Sequence, residues 1–341
     1  MLYFKRKLYP RKEIFMKKAL VILPYKDEDK QKLIDSAAVK CEFLFLDKKA
    51  DREKYLSALE TANLIIGEPQ NEDLLLCKNL EMLQSSSSGV NYYVDGGTFP
   101  KGAKLCCMTG VYGNVISEHL LGMLLAISRR IPEYQNQQNE GRWGLIRYDK
   151  PLDGSSVLII GAGDIGTTLA KWMRPMVGKI TGIRRTKRDF PDCFDEMLTL
   201  EEIDSALSEA DFVISVLPHT PKTAGLFDER RLRLMKDDAV LINGGRGSLI
   251  DQDALLKVMA EGKFFGVGLD VTTPEPLPPE NPLWKQERVF ITSHAAGNSC
   301  SPESPLERKI RDFILRNTLR WLDGKEPENV IDFEIGYKTN A

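Results

Sequence analysis

The chain has 341 residues, 42% of them apolar and 28% charged, with a net charge of −2. That length exceeds what one hydrophobic core usually holds and predicts two domains. The charge balance excludes an overall attraction to nucleic acid or to an acidic membrane surface, and no apolar run reaches the roughly 18 residues needed to span a bilayer.

Residues 1–16 are basic with aromatic punctuation and lack the apolar core of a signal peptide. They are expected to be a disordered extension ahead of a start at Met16. From Lys18 onward, short apolar runs alternate with amphipathic stretches. Strands are expected over 19–23, 41–46, 64–67, 81–84 and 104–108, and a largely buried helix over about 115–130. A polar break follows over 133–153. A second series then sets strands at 156–160, 179–183, 212–216, 239–242, 266–269 and 289–292, and an amphipathic helix at about 306–322. Such alternation predicts parallel sheets with helices on both faces. Two doubly wound units result, the second inserted into the first if the terminal helix returns to the N-terminal sheet. Six cysteines (41, 77, 106, 107, 193 and 300) without a CxxC pair read as reduced, cytoplasmic thiols, and three histidines argue against a His-based metal cluster.

The strand at 156–160 runs into Gly161-Ala162-Gly163-Asp164-Ile165-Gly166, which opens a helix over 165–173. In that context one glycine permits a tight turn, one lets backbone approach a pyrophosphate, and one lets the helix pack on the strand. The helix N-terminus offers N–H groups and a positive dipole end to the phosphates. An NAD site would place an acid about 20 residues on, at the end of the second strand. Here that strand ends Arg184-Arg185-Thr186-Lys187-Arg188, with no acid before Asp189. Arginine forks suit a 2′-phosphate, so NADP(H) is expected in preference to NAD(H). The plain alternative is a solvated basic loop.

Three further signatures follow in order: Asn243-Gly244-Gly245-Arg246-Gly247, Asp270-Val271-Thr272-Thr273-Pro274-Glu275-Pro276 and Thr292-Ser293-His294. A cation, a carboxylate and an imidazole beside a nucleotide turn are the parts needed to reduce a 2-keto acid with a bound nicotinamide. Their bland readings are a surface cation, an exposed loop carboxylate between prolines, and a core histidine. His119 reads as a packing or interface residue and His219 as a cofactor-edge contact. Thr223 is either a loop cap or a cofactor contact.

Ser88-Gly89-Val90-Asn91, Ser117-Glu118-His119 and Leu217-Pro218-His219-Thr220-Pro221-Lys222-Thr223 complete a set of ordered motifs. With them, the chain from about Lys18 to the last helix resembles the D-isomer-specific 2-hydroxyacid dehydrogenase family, especially its glyoxylate/hydroxypyruvate reductase-like branch. The resemblance implies an α/β protein whose Rossmann dinucleotide-binding domain (114–298) is inserted into a flavodoxin-like substrate domain (17–113 and 299–341). It implies NAD(P)-dependent reduction of a small 2-keto acid to the D-2-hydroxy acid. His294 would donate the proton, Glu275 would hold and charge-stabilise the imidazole, and Arg246 would clamp the substrate carboxylate and carbonyl. Backbone N–H groups at Ser88 and Gly89 would hold the carboxylate's other side, across a cleft.

The implied cofactor contacts are Gly161, Gly163, Asp164, Ile165, Gly166, Arg184, Arg185, Pro218, Thr223, Gly244, Asp270 and Gly297, with Asp270 meeting the nicotinamide carboxamide. No metal is implied. A homodimer is, with Trp143 in the dimer arm either closing the partner's substrate pocket or anchoring the interface. Two residues depart from the family pattern: Ser293 replaces the usual proline, and Gly245 replaces a slightly larger residue. Phosphoglycerate dehydrogenase is disfavoured because the chain ends at 341 without a regulatory domain. Formate or phosphite oxidation and a nucleotide-sensing, corepressor-like binding protein are the other rivals. The loops around Ser88, Tyr112 and Trp143 leave the substrate side chain open.

Overall fold

A computed structural model describes residues 16–37, 40–49, 51–187, 189–298 and 304–338. Of the expected extension over 1–16 only Met16 falls among them, and Arg188 and Cys300 lie outside them. The chain divides into two compact units. Of the described residues, those up to Cys107, with Ile310–Ile331, form the first, and those of Met108–Lys309, with those from Asp332 onward, form the second.

The first unit runs β1 (Lys17–Val21), α1 (Asp27–Ala37), β2 (Cys41–Phe45), α2 (Arg52–Thr61), β3 (Leu64–Ile66), β4 (Met82–Gln84), α3 (Asn91–Asp95) and β5 (Lys104–Cys106). Its five strands are all parallel, in the order β2-β1-β3-β4-β5. Helix starts are set locally. Asp27, Glu28 and Asp29 crowd the first turn of α1, where the dipole favours acids, and the Asp51 side chain caps α2 by accepting from Lys54 N. Leu20, Ile65, Leu83 and Leu105 from four strands pack with Tyr55 and Leu59 of α2. β1 begins at Lys17 rather than Ala19, because Lys17 and Lys18 pair with Cys41 and Glu42 despite their charge.

The second unit begins with α4 (Gly113–Ser128) and α5 (Ile131–Asn139). It continues through β6 (Ser156–Ile160), α6 (Asp164–Met173), β7 (Lys179–Ile183), β8 (Glu196–Leu198), α7 (Ile203–Glu209), β9 (Phe212–Ser215), α8 (Glu229–Leu234), β10 (Val240–Asn243), α9 (Gln252–Ala260), β11 (Gly266–Leu269) and β12 (Val289–Ile291). Seven parallel strands lie in the order β12-β11-β10-β9-β6-β7-β8. Alternate residues of each central strand enter opposite cores. Leu158, Ile160, Val213 and Leu241 point to one, and Val157, Ile159, Phe212, Ile214, Val240 and Ile242 to the other. Strands covered on both faces need continuous apolar runs, which is why they are conspicuous in the sequence. At about 1.5–3 kcal/mol for each fully buried large aliphatic side chain, these two layers hold the sheet rigid beneath its loops.

From residue 310, helix α10 (Pro305–Leu322) belongs to the first unit. The segment Met108–Lys309 of the second, Rossmann-type unit therefore lies in the chain between the two segments of the first, and the residues after Ile331 return to the second. A small ribbon of β13 (Ile331–Asp332) and β14 (Tyr337–Lys338) follows.

The polar break needs correcting, for α5 occupies its start. Pro132 suits the first helical positions, and Glu133, paired with Arg130 at 2.9 Å, supplies the acid of the first turn. Residues 142–150 beyond it form no regular element.

Candidate active site

At the end of β6, Gly161 adopts φ 110°, a conformation open to glycine. The Gly161 and Ala162 N–H groups both donate to Ile183 O, at 2.9 and 2.8 Å, which ties the turn to β7. A Cβ on Gly166 would sit 2.3 Å from Gly161 O, so the missing side chain is what lets α6 pack against the turn. A Cβ on Gly163 would meet nothing within 4 Å. The open side of the turn therefore lies at the N-terminus of α6, whose first N–H groups lack helical partners. Asp164 is exposed and Ile165 half-buried in that first turn. This arrangement fits a pyrophosphate, with its charge against the helix dipole.

Arg184 and Arg185 follow directly on β7, the second strand of this β-α-β unit. Arg184 N donates to Leu198 O at 3.0 Å, and its guanidinium lies 3.4 Å from Asp189 O. In the loop after β9, Thr223 Oγ1 donates to Pro218 O at 2.7 Å and accepts from Thr220 N at 2.8 Å. The loop-cap reading of Thr223 is thus realised in its contacts. His219 Nδ1 lies 2.7 Å from Ser248 Oγ, just beyond Arg246.

Buried Asn243, the last residue of β10, shapes the arginine loop. Its Oδ1 accepts from Gly245 N at 3.1 Å, and its Nδ2 donates to Arg246 O at 2.9 Å. Gly244 N donates to Ser215 O at 2.9 Å. A Cβ on Gly245 would stand 2.4 Å from Leu217 O, so the loop 217–223 has closed over the space a larger residue would take. The Arg246 guanidinium donates to Gly245 O at 2.6 Å. Burial pulls its pKa below the ordinary arginine value, and the nearby Glu275 carboxylate opposes that shift. Arginine still carries its charge.

Glu275 and His294 form the pair expected of them. His294 Nδ1 lies 2.8 Å from Glu275 Oε2, while Glu275 Oε1 accepts from Thr272 N at 3.1 Å. Their side chains are 47% and 38% exposed, which rules out a core histidine. A carboxylate partner at Nδ1 fixes the ring proton there and leaves Nε2 on the other side of the ring. His294 has φ 51°, in the left-handed region.

Asp270 holds that backbone from both sides. Its carbonyl accepts from His294 N at 2.7 Å, and its carboxylate accepts from Ala295 N at 2.9 Å and Ala296 N at 3.2 Å. The carboxylate is 2% exposed and also accepts from Thr292 Oγ1 at 2.6 Å. His119 of α4 completes this cluster, its Nε2 lying 3.0 Å from Thr292 Oγ1 and 3.5 Å from Asp270 Oδ1.

Of the packing and interface readings of His119, these contacts are of the packing kind, made through polar atoms to Thr292 and Asp270. A motif on one helix and a threonine 173 residues away carry no local sign of that meeting. Gly297, half-buried, follows the same loop. In the first unit, Gly89 N donates to Ser87 Oγ at 3.1 Å. Trp143, at 104% relative exposure, touches none of these groups.

Residues 121–296 match the NAD binding domain of the D-isomer specific 2-hydroxyacid dehydrogenases. The chain is 30% identical over 267 residues to a glyoxylate reductase of Thermofilum pendens, covering 75% of this chain and 76% of that one. It is 31% identical over 235 residues to a glyoxylate reductase of Korarchaeum cryptofilum, covering 66% and 68%. Among solved structures, a D-isomer specific 2-hydroxyacid dehydrogenase family protein of Aeromonas salmonicida superposes with a TM-score of 0.82 at 28% identity, over 93% and 99% of the two chains. An NADPH-dependent glyoxylate/hydroxypyruvate reductase of Sinorhizobium meliloti shares the fold at a TM-score of 0.79 and 23% identity, over 94% and 100%. Fold and matches together define an NAD(P)-dependent 2-hydroxyacid dehydrogenase. The chain belongs to the D-isomer specific 2-hydroxyacid dehydrogenase family.

Proposed function

We propose that the protein reduces a small 2-keto acid of the glyoxylate or hydroxypyruvate kind to the D-2-hydroxy acid, with His294 as proton donor. The observation that carries this is the 2.8 Å His294–Glu275 pair on the same unit as the glycine turn and Arg246. The nicotinamide supplies the hydride when bound. Arg246 grips the substrate carboxylate and polarises the keto oxygen. His294 delivers a proton from Nε2 to that oxygen as the carbon is reduced. Glu275 keeps the ring oriented for the transfer. Ser88 N–H is the remaining candidate of the first unit for the carboxylate. The glyoxylate reductase relatives support the substrate class, and keto-acid-dependent consumption of NADPH tests it.

NADP(H) is the preferred cofactor in this reading, because Arg184 and Arg185 stand where an NAD-specific site carries an acid. The variant Arg184→Asp should lower the ratio of kcat/KM with NADPH to that with NADH by about tenfold or more, the effect of losing a charge-assisted phosphate contact. An unchanged ratio returns both arginines to the solvated surface.

The arm around Trp143, with Leu145 and Tyr148 also exposed, is the proposed face of a homodimer. Isolated apolar side chains are common on surfaces, but three within six residues favour a partner. Light scattering should give twice the chain mass, and Trp143→Ala should shift the balance toward monomer. A monomer at all concentrations overturns the assembly.

A further inference from the structure

In the first unit, the serine run 85–88 is organised by one carboxylate that no part of the proposed chemistry uses. Gly67, at φ 123°, turns the chain after β3 and brings Glu68 beside the serines. Glu68 Oε1 accepts from Ser85 Oγ at 2.7 Å, Ser86 N at 2.7 Å and Ser86 Oγ at 3.0 Å. Its Oε2 accepts from Tyr93 Oη at 2.9 Å. The phenol stays a donor, since burial, reinforced by Glu68, pushes its pKa above the ordinary tyrosine value. From behind, Lys48 Nζ donates to Glu68 O at 2.6 Å.

The loop then closes on itself. Ser85 N donates to Cys106 O at 2.9 Å, Ser87 N to Ser85 Oγ at 2.9 Å, and Gly89 N to Ser87 Oγ at 3.1 Å. Of the five amides over 85–89, four are engaged: Ser86 N directly by Glu68, Ser87 N by the Ser85 hydroxyl that Glu68 holds, and Ser85 N and Gly89 N by Cys106 O and Ser87 Oγ. The Ser88 N–H alone has no partner among the described residues. Backbone donors left over in an otherwise satisfied loop are met by water or by a ligand.

We infer that Glu68 is a positioning residue, fixing the Ser88 N–H as the loop's single donor to the substrate carboxylate. The inference rests on the proposed keto-acid reductase activity and deepens it. A carboxylate with four donors is held rigidly, and donors preset before binding cost less ordering when the substrate arrives.

Glu68→Ala in the full chain should raise KM for the keto acid about tenfold while kcat stays within about threefold, the signature of lost ground-state binding. NADPH affinity should not change. Glu68→Gln retains an acceptor for Ser86 N and should recover most of the affinity. Independently of turnover, amide exchange over 86–89 should accelerate about tenfold or more in Glu68→Ala, since protection follows these hydrogen bonds. An unchanged KM, unchanged exchange, or a parallel fall in kcat and NADPH affinity overturns the assignment. Should Glu68→Ala not fold, Tyr93→Phe removes one donor alone and reads the same split. A native protein without turnover instead defeats the activity reading, and exchange still decides whether Glu68 holds the loop.

Discussion

Replacing His294 by alanine is expected to lower kcat for keto-acid reduction by about 10²–10⁴-fold, the range for a positioned general acid, with NADPH affinity unchanged. The geometry separates the two effects. The ring is held through Nδ1 by Glu275, with Nε2 given to the reacting oxygen in the proposed reaction, whereas the glycine turn proposed for the pyrophosphate lies at the start of α6. The backbone of the His294 loop is held by Asp270 through main-chain donors that survive truncation of the ring. Steady-state kinetics with fluorescence titration of NADPH checks both halves. Full activity in the variant removes His294 from the mechanism.

Arg246→Ala is expected to cost about 10²–10³-fold in kcat/KM, because the charge-assisted clamp proposed for it, which also polarises the carbonyl, would act in the transition state as well as in binding. Arg246→Lys should recover little, since an ammonium cannot reproduce the planar fork. Stability should move the other way. Burial depresses the Arg246 pKa, and a base whose folded-state pKa lies below its unfolded value disfavours folding while it is charged. Arg246→Leu is therefore expected to leave thermal stability unchanged or raised while activity collapses. Loss of both would mark a structural cation instead.

The motifs legible in the sequence share one physical property: they are local. The glycine turn, the arginine loop after β10 and the histidine after β12 each sit at the end of a short apolar strand, the first two buried on both faces and the third at the sheet's edge. The strand announces where the loop begins, and the three loops open at the same end of one parallel sheet. The 173-residue reach from His119 to Thr292 has no such announcement. Glu68 lies 17 residues before the first serine it holds, and a lone glutamate after Gly67 carries no pattern. Gly89 belongs to a recognisable motif, yet its amide donates to the hydroxyl of Ser87, as Ser87 N does to that of Ser85. Short elements escaped as well. β8 is a three-residue edge strand, too brief for a period, and α5 has no buried residue to give it an apolar face.

Two departures from the family pattern have different weights. Gly245 is explained by the approach of Leu217 O. Ser293 precedes His294 with no contact among the described residues that accounts for it.

The most direct test is steady-state oxidation of NADPH and NADH by the purified protein with glyoxylate, hydroxypyruvate and larger 2-keto acids. The account predicts turnover dependent on the keto acid, faster with NADPH, yielding the D-2-hydroxy acid. No turnover above background with any keto acid and either cofactor would contradict it and favour a nucleotide-binding protein that keeps the fold without the reaction.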